Sequence, residues 1–126
     1  MNDGKYTITL DHEQGLVHVI AQGEFHSDLG EELITNTLEK AADHKYSILC
    51  DVRQSEAKVG FSDWFLLPRR LAAYRNLKTR YIKTAIVVTT GKQEKVYRFF
   101  ETVTRSLGMN IRIFLHEEDA LEWLLS

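Results

Sequence analysis

The sequence has few of the features that covalent cross-linking or membrane anchoring requires. It contains one cysteine and one proline in 126 residues, so no internal disulfide can form. No apolar run approaches the roughly 20 residues that a spanning helix needs, and the first residues lack the pattern of a signal peptide. We therefore expect a cytoplasmic protein without membrane insertion. Its single thiol, Cys50, is expected to lie inert in a core strand.

Residue patterns typical of metal sites, phosphate-binding loops or catalytic sites are also missing. The five histidines are scattered without ligand-like spacing and no cysteine pair joins them, so we predict no metal site. No glycine-rich phosphate loop is present. An acid/base pair of Glu24 and Asp51 is conceivable, but Asp51 beside Arg53 is more typical of an ion pair that fixes a turn or caps a loop. We predict a protein that is not an enzyme and needs no cofactor.

The charges are unevenly distributed, although they sum to −2. Residues 64–112 carry eleven basic and two acidic side chains, and the remainder carries five basic and sixteen acidic ones. This asymmetry can steer an anionic ligand or bring two copies face to face, unless folding interleaves the two sets into a mixed surface. Arginines and tyrosines alternate near Arg75, but the sequence pI of 6.2 and the lack of a binding motif argue against a nucleic-acid partner.

Alternation and helical periodicity divide the chain into strands and helices. A hairpin comes first, and Ser27 or Asp28 is suited to cap the helix after it. In the helix before the last strand, Phe99 and Phe100 are both expected to face inward. The strands are expected at Tyr6–Leu10, at Leu16–Ala21, in the first part of Tyr46–Ser55 as far as Asp51, at Lys83–Thr90 and at Ile111–Leu115. The helices are expected after Ser27, over Ser62–Leu77 and Glu94–Leu107, and from Glu117.

The segment Tyr46–Ser55 is the one around which the chain is organised. Its apolar core ends at Asp51, with Arg53 just beyond, so polar groups are expected where a central strand stops, a usual position for ligand sites in open α/β sheets. A polar connection is expected from Val52 to Gly60. The helix that follows begins at Ser62, and Pro68 should kink it because proline lacks an N–H and clashes with the preceding turn.

This order of elements, β-β-α-β-α-β-α-β-α, predicts an α/β fold. After the hairpin, strands alternate with helices, which calls for right-handed crossovers. We expect one domain over residues 1–126, with a mixed, mostly parallel five-stranded sheet and four helices packed on it.

With these elements placed, the chain resembles the SpoIIAA-like, or STAS-like, family of bacterial domains, which are related in fold to lipid-binding Sec14-type proteins and to antagonists of anti-sigma factors. The resemblance covers nearly the whole chain. It implies a small non-enzymatic domain, commonly a dimer, that acts through protein contact or by holding a lipid-like ligand. It depends on Gly23–Phe25, on Ile48–Arg53 with its Asp-x-Arg, on Lys83–Val88, Phe99–Glu101 and Leu107–Gly108, and on Phe114, Ala120 and Trp123–Leu124.

Two departures from the phosphorylated members of the family concern the candidate phosphorylation site. Those members have Asp-x-Ser at the strand end and Ser-x-Gly at the next helix, whereas this chain has Asp51-Val52-Arg53 and Ser62-Asp63-Trp64. Ser62 is still placed at a predicted helix N-terminus, where free N–H groups would favour a phosphate. The alternative is that Ser62 is a plain N-cap.

Two functions remain open. In the first, the chain is a regulatory interaction module, as a homodimer or with another regulatory protein, that uses the Ser62–Leu77 helix and the neighbouring basic helix as its contact surface. In the second, it carries or senses a small amphipathic or lipid-like anionic ligand between that helix and the strand ends. The tentative ligand-binding residues are Phe25, Asp51, Arg53, Trp64, Phe65, Leu67 and Arg69. Exposed aromatic residues would favour the first function, and an enclosed apolar cavity the second.

Overall fold

The computed structural model describes residues 3–58 and 82–126. Within these ranges the chain forms five strands and three helices. The predicted α/β class and the five-stranded sheet are confirmed. The prediction of four helices is not matched, because the described residues contain three; the predicted helix Ser62–Leu77 lies outside them. The elements are β1 (Lys5–Asp11), β2 (Leu16–Phe25), α1 (Ser27–His44), β3 (Ser47–Ala57), β4 (Lys83–Val87), α2 (Lys92–Ser106), β5 (Asn110–Phe114) and α3 (Glu117–Leu124).

The sheet has the strand order β1-β2-β3-β4-β5. The hairpin is antiparallel, with Ile8 opposite Val19, and the other three strand pairs are parallel. The mostly parallel mixed sheet predicted from the element order is therefore present. Among the strands of residues 3–58 and 82–126, β1 and β5 are the two at the edges.

The two faces of the sheet bury cores of different size. Alternate side chains of a strand point to opposite faces, so Val17 and Val19 face the larger core, which α1 and the buried Phe100 of α2 complete. Leu16 and Leu49 face a smaller core, closed by Ala120 and Leu124 of α3. Helices α1 and α2 thus share one face, and α3 covers part of the other.

Strand β3 is longer than the sequence predicted. It continues through the expected polar connection to Ala57, pairing with β2 as far as Phe25. The register shifts between Ile20 and Gln22, because two residues of β2 span three residues of β3, which is a β-bulge. The polar side chains from Arg53 onward therefore belong to a strand, and polarity alone gave the wrong prediction of a loop.

Helix α2 is found where amphipathic periodicity placed it, but one of its aromatic residues faces outward. Phe100 and Thr104 are buried, whereas Phe99 is 39% exposed. Neighbouring residues of a helix point about 100° apart, so burying Phe100 turns Phe99 away from the core. The prediction that both phenylalanines face inward was wrong for Phe99.

Candidate functional site

The described candidate residues lie on opposite faces of the sheet. Phe25 is buried in the larger core and lines a cavity there. Asp51 and Arg53 lie on the other face, towards α3, since Val52 between them belongs to the larger core. The structure therefore does not bring Phe25 together with the charged pair in one pocket. Trp64, Phe65, Leu67, Arg69 and Ser62 lie outside the described residues, and the role proposed for each of them stays a prediction.

The cavity has a volume of about 150 Å³ and lies between α1, α2 and the sheet. Side chains of the larger core form most of its wall, among them Phe25, Cys50, Ile86 and Phe100. Burial raises the pKa of the Cys50 thiol to about 12, and burial likewise raises the pKa of the lining Tyr97 hydroxyl. Both groups are therefore uncharged at neutral pH, and the wall favours an apolar occupant.

Helix α1 contributes a gap to this wall at Gly30. A Cβ built on Gly30 meets no described atom within 4 Å, although the residue is helical and lines the cavity. Glycine destabilises a helix interior relative to alanine by roughly 0.5–1 kcal/mol. Gly30 is therefore a position of the cavity wall at which alanine would meet no described atom and would suit the helix better.

Asp51 and Arg53 form a two-pronged ion pair along β3. Arg53 Nε donates to Asp51 Oδ1 at 3.0 Å, and Arg53 Nη2 donates to Oδ2 at 2.8 Å. The Arg53 backbone N–H also donates to Oδ1, at 3.0 Å. These bonds, led by the one from the guanidinium, lower the pKa of the Asp51 carboxyl. The predicted ion pair is present, but it lies within a strand and fixes no turn.

His18 extends this polar group to α3. Its Nε2 lies 3.8 Å from Glu117 Oε1, with the side chain 36% exposed. The same nitrogen is buried and has no hydrogen-bond partner among residues 3–58 and 82–126. Glu117, the first residue of α3, lies beside Nε2, and this atom is closed off from solvent although the side chain is partly exposed. Glu117 and Glu118 also act electrostatically on Arg53. Arg53 is thus paired with one carboxylate of this chain and lies in the field of two more.

Gln93 is a structural residue that the sequence analysis missed. From the first turn of α2, its Nε2 donates to Val52 O at 2.8 Å and to Ser55 O at 3.1 Å, both at the β3 bulge. Its Oε1 accepts from the Thr89 backbone N–H at 2.7 Å. One amide therefore joins the ends of β3, β4 and α2. Thr89 is only four residues away, but no local pattern marks the contact with β3, because those partners are about forty positions away in the sequence.

The described part of the chain has neither a group of metal ligands nor a membrane-spanning helix. Over residues 3–58 and 82–126, no three His, Cys, Asp or Glu side chains are grouped so that they can hold a metal ion. None of the three described helices is long and apolar enough to cross a membrane.

The hairpin, the parallel strands and the helices on both faces define a class of small α/β domains. The SpoIIAA-like family model matches residues 16–125, and the chain belongs to this family. This confirms the resemblance identified from the strand ends and the C-terminal half of the sequence. None of the curated proteins compared with the chain matches it.

Solved structures share the same fold at low sequence identity. An uncharacterized protein from Shewanella loihica with a SpoIIAA-like fold has a TM-score of 0.61 and 18% identity, over 98% of this chain and 95% of that one. An anti-sigma factor antagonist from Mycobacterium paratuberculosis has a TM-score of 0.62 and 14% identity, over 97% and 96%. The unphosphorylated anti-sigma factor antagonist SpoIIAA has a TM-score of 0.55 and 16% identity, over 94% and 96%.

Proposed function

We propose that this chain is a non-enzymatic regulatory module that acts through protein contact, in the cytoplasm and as a homodimer. The observation that carries the proposal is the exposure of Phe99 on α2. Two proteins with the same fold are described as anti-sigma factor antagonists, a role exercised on another protein, which supports this class of function. The partner that we propose is accordingly a regulatory protein of the anti-sigma factor kind.

The outer face of α2 has the composition of a contact surface. Lys92, Lys95 and Thr102 are exposed on the same helix as Phe99, so this helix presents a partly exposed aromatic side chain together with polar and positively charged ones. Aromatic residues surrounded by polar side chains are typical of the anchor positions of protein interfaces. A partner surface that fits this face has an apolar pocket with acidic groups at its rim.

The test begins with the full chain in cells that express it naturally. Cross-linking and mass spectrometry identify the bound protein, which is then purified and titrated by calorimetry. We expect Phe99→Ala to weaken binding roughly tenfold or more, as for an interface anchor. Leu125→Ala is the matched control, because it also truncates an exposed apolar side chain but lies beside α3, on the other side of the sheet, and it should bind like the wild type. If Phe99→Ala and wild type bind the partner with equal affinity, the Phe99 face of α2 is not the binding surface.

The cavity supports a second candidate function, the binding of a small apolar ligand. Ligand pockets usually have volumes of roughly 300–1,000 Å³, and 150 Å³ is below this range. Apolar cavities of roughly 150 Å³ do hold molecules of the size of benzene. We therefore propose a smaller ligand than the lipid-like one expected from the sequence. Arg53 is not suited to hold its head group, because it lies on the opposite face of the sheet and is paired with Asp51.

Gly30 allows this second candidate to be tested with a matched pair of variants. Gly30→Leu places a side chain in the cavity, and Gly30→Ala adds a single methyl group and relieves the helical cost of glycine. In a titration with benzene monitored by methyl NMR, we expect binding by wild type and Gly30→Ala and a loss of binding in Gly30→Leu. If Gly30→Leu binds benzene as tightly as Gly30→Ala, the cavity is not the binding site.

A further inference from the structure

The two edges of the sheet differ in whether side chains hydrogen-bond to their backbone. At β5, Glu101 Oε2 accepts the backbone N–H of Ile113 at 2.6 Å, and Arg98 Nη1 donates to Ile113 O at 3.3 Å. Side chains of α2 therefore occupy this edge. At β1, no side chain of residues 3–58 or 82–126 hydrogen-bonds to the backbone of residues 5–10. An edge strand with unsatisfied backbone groups is a template for pairing with another strand.

The sequence of β1 is complementary to itself in an antiparallel arrangement. Tyr6, Ile8 and Leu10 are half-buried on the α1 side, and the residues between them are exposed on the other face. Opposite residues of an antiparallel pair project to the same face, so only registers that match like faces are allowed. The register centred on Ile8 pairs the whole strand. It sets Lys5 opposite Asp11 and Thr7 opposite Thr9 of the second copy.

We propose that two copies of this chain associate through antiparallel pairing of their β1 strands about a two-fold axis at Ile8. Their five-stranded sheets then form one continuous sheet. The symmetry makes two Lys5–Asp11 pairs, and opposite charges facing each other across strands are stabilising. This inference rests on the homodimer in the proposed function and gives it a surface separate from the Phe99 face.

The negative charge of α1 opposes this association and determines the salt concentration at which it is tested. Glu32 accepts a hydrogen bond of 2.8 Å from the Tyr6 hydroxyl, so an acidic helix lies over β1 in each copy. At 0.15 M salt the screening length is about 8 Å, which weakens repulsion between exposed charges on the two helices. The measurements are therefore made with the full chain at this ionic strength and at tens of micromolar protein.

Cysteine cross-linking tests the register. Thr7 and Thr9 are exposed, and the native Cys50 is buried, so wild type is the blank for oxidation of thiols to a disulfide. We expect a disulfide-linked dimer when Thr7→Cys and Thr9→Cys proteins are mixed, because these residues lie directly opposite each other. Neither variant alone should give one, because like residues of the two copies are diagonal neighbours about 7–8 Å apart, beyond the reach of a disulfide. A dimer from Thr7→Cys alone or from Thr9→Cys alone would overturn the register centred on Ile8.

Charge reversal tests the same contact without new cysteines. Lys5→Glu replaces both attractive pairs with repulsive ones and should weaken the dimer roughly tenfold in sedimentation equilibrium. Lys92→Glu makes the same change of charge on α2, away from β1, and should leave the dimer unchanged. Asp11 is kept, because its Oδ1 accepts the backbone N–H groups of Glu13 and Gln14, each at 3.1 Å, and so holds the hairpin turn.

The outcomes separate this inference from the proposed function. A dimer by light scattering that shows no Thr7–Thr9 cross-link and is unaffected by Lys5→Glu would overturn the β1 interface and leave the homodimer standing. A monomer at tens of micromolar would overturn both. Neither result changes the Phe99 titration, which reports on the partner surface alone.

Discussion

Asp51 shows how one pair of side chains links the stability of this fold to pH. Its carboxyl has a lowered pKa, chiefly because Arg53 hydrogen-bonds to it. A folded-state pKa below that of the unfolded chain, about 3.9 for aspartate, means that the stabilisation is complete above that pH. It is lost as the pH falls through the lower, folded-state value.

We predict that Asp51→Asn reduces the fall in unfolding free energy as the pH drops below about 4, because the variant has no carboxylate to protonate at this position. The measurement is urea unfolding at a series of pH values. Arg53→Gln should have the same effect, since it removes the hydrogen-bonded cation. Wild type and Asp51→Asn with superimposable pH profiles would show that this pair is not coupled to folding.

Cys50 is predicted to be unreactive in the folded protein. Its side chain is buried, and burial raises the pKa of the thiol to about 12, so almost no thiolate is present at pH 8. Iodoacetamide should label it only after unfolding in guanidinium, with mass spectrometry as the readout. Thr9→Cys, with an exposed thiol, is the positive control. Complete labelling of native wild type within the time that Thr9→Cys needs would contradict the buried position.

The contact between α2 and β5 provides hydrogen-bond partners for the backbone at the β5 edge of the sheet. Glu101 is the side chain that occupies the Ile113 N–H. The other carboxylate oxygen of Glu101, Oε1, lies 3.8 Å from Arg98 Nη1. Arg98 Nη1 also donates a hydrogen bond to the Ile113 carbonyl. Two side chains one turn apart on α2 thus satisfy both backbone groups of one residue on the edge.

We predict that Glu101→Ala lowers the free energy of unfolding by roughly 1–3 kcal/mol, because it leaves a backbone donor without its partner. Glu101→Gln keeps an acceptor oxygen and should lose markedly less. Chemical denaturation measures both variants, and light scattering reports whether the freed edge promotes aggregation. A loss in Glu101→Gln as large as that in Glu101→Ala would show that the contribution does not come from the acceptor.

The β3 bulge is stabilised by one residue of α2. Gln93 satisfies the carbonyls of Val52 and Ser55, so we predict that Gln93→Ala costs roughly 1–3 kcal/mol of unfolding free energy. Gln14→Ala removes an exposed glutamine from the hairpin turn and should cost little. Thermal and urea unfolding compare the two. Equal stability of both variants would show that water replaces the Gln93 amide without loss.

Across the whole molecule, burial predicts a gradient of local stability. Val17, Val19, Val87 and Val88 are among the most deeply buried side chains and lie in or next to the inner strands of the sheet, whereas α3 is eight residues long and covers the smaller core. Amides of β2 and β4 should therefore exchange with deuterium most slowly and those of α3 faster. Native-state hydrogen exchange measures this order. Protection in α3 equal to that in β2 would contradict it.

The sequence by itself determined the elements and the family of this protein. Alternation in the hairpin, the apolar run Lys83–Val88 and helical spacing before Gly108 are local patterns, and each specifies a strand or a helix without knowledge of distant residues. The order of those elements is enough to imply a mostly parallel sheet. The same local patterns carried the resemblance to the SpoIIAA-like family.

The tertiary structure decided where the functional groups face. Pairing with β2 kept β3 extended through polar residues and placed Asp51 and Arg53 away from Phe25. Packing of Phe100 turned Phe99 outward, and the bulge gave Gln93 its partners. Each of these results depends on contacts between residues far apart in the chain. A local pattern cannot specify such contacts, because the same residue types fit either face of a strand or helix until its neighbours are in place.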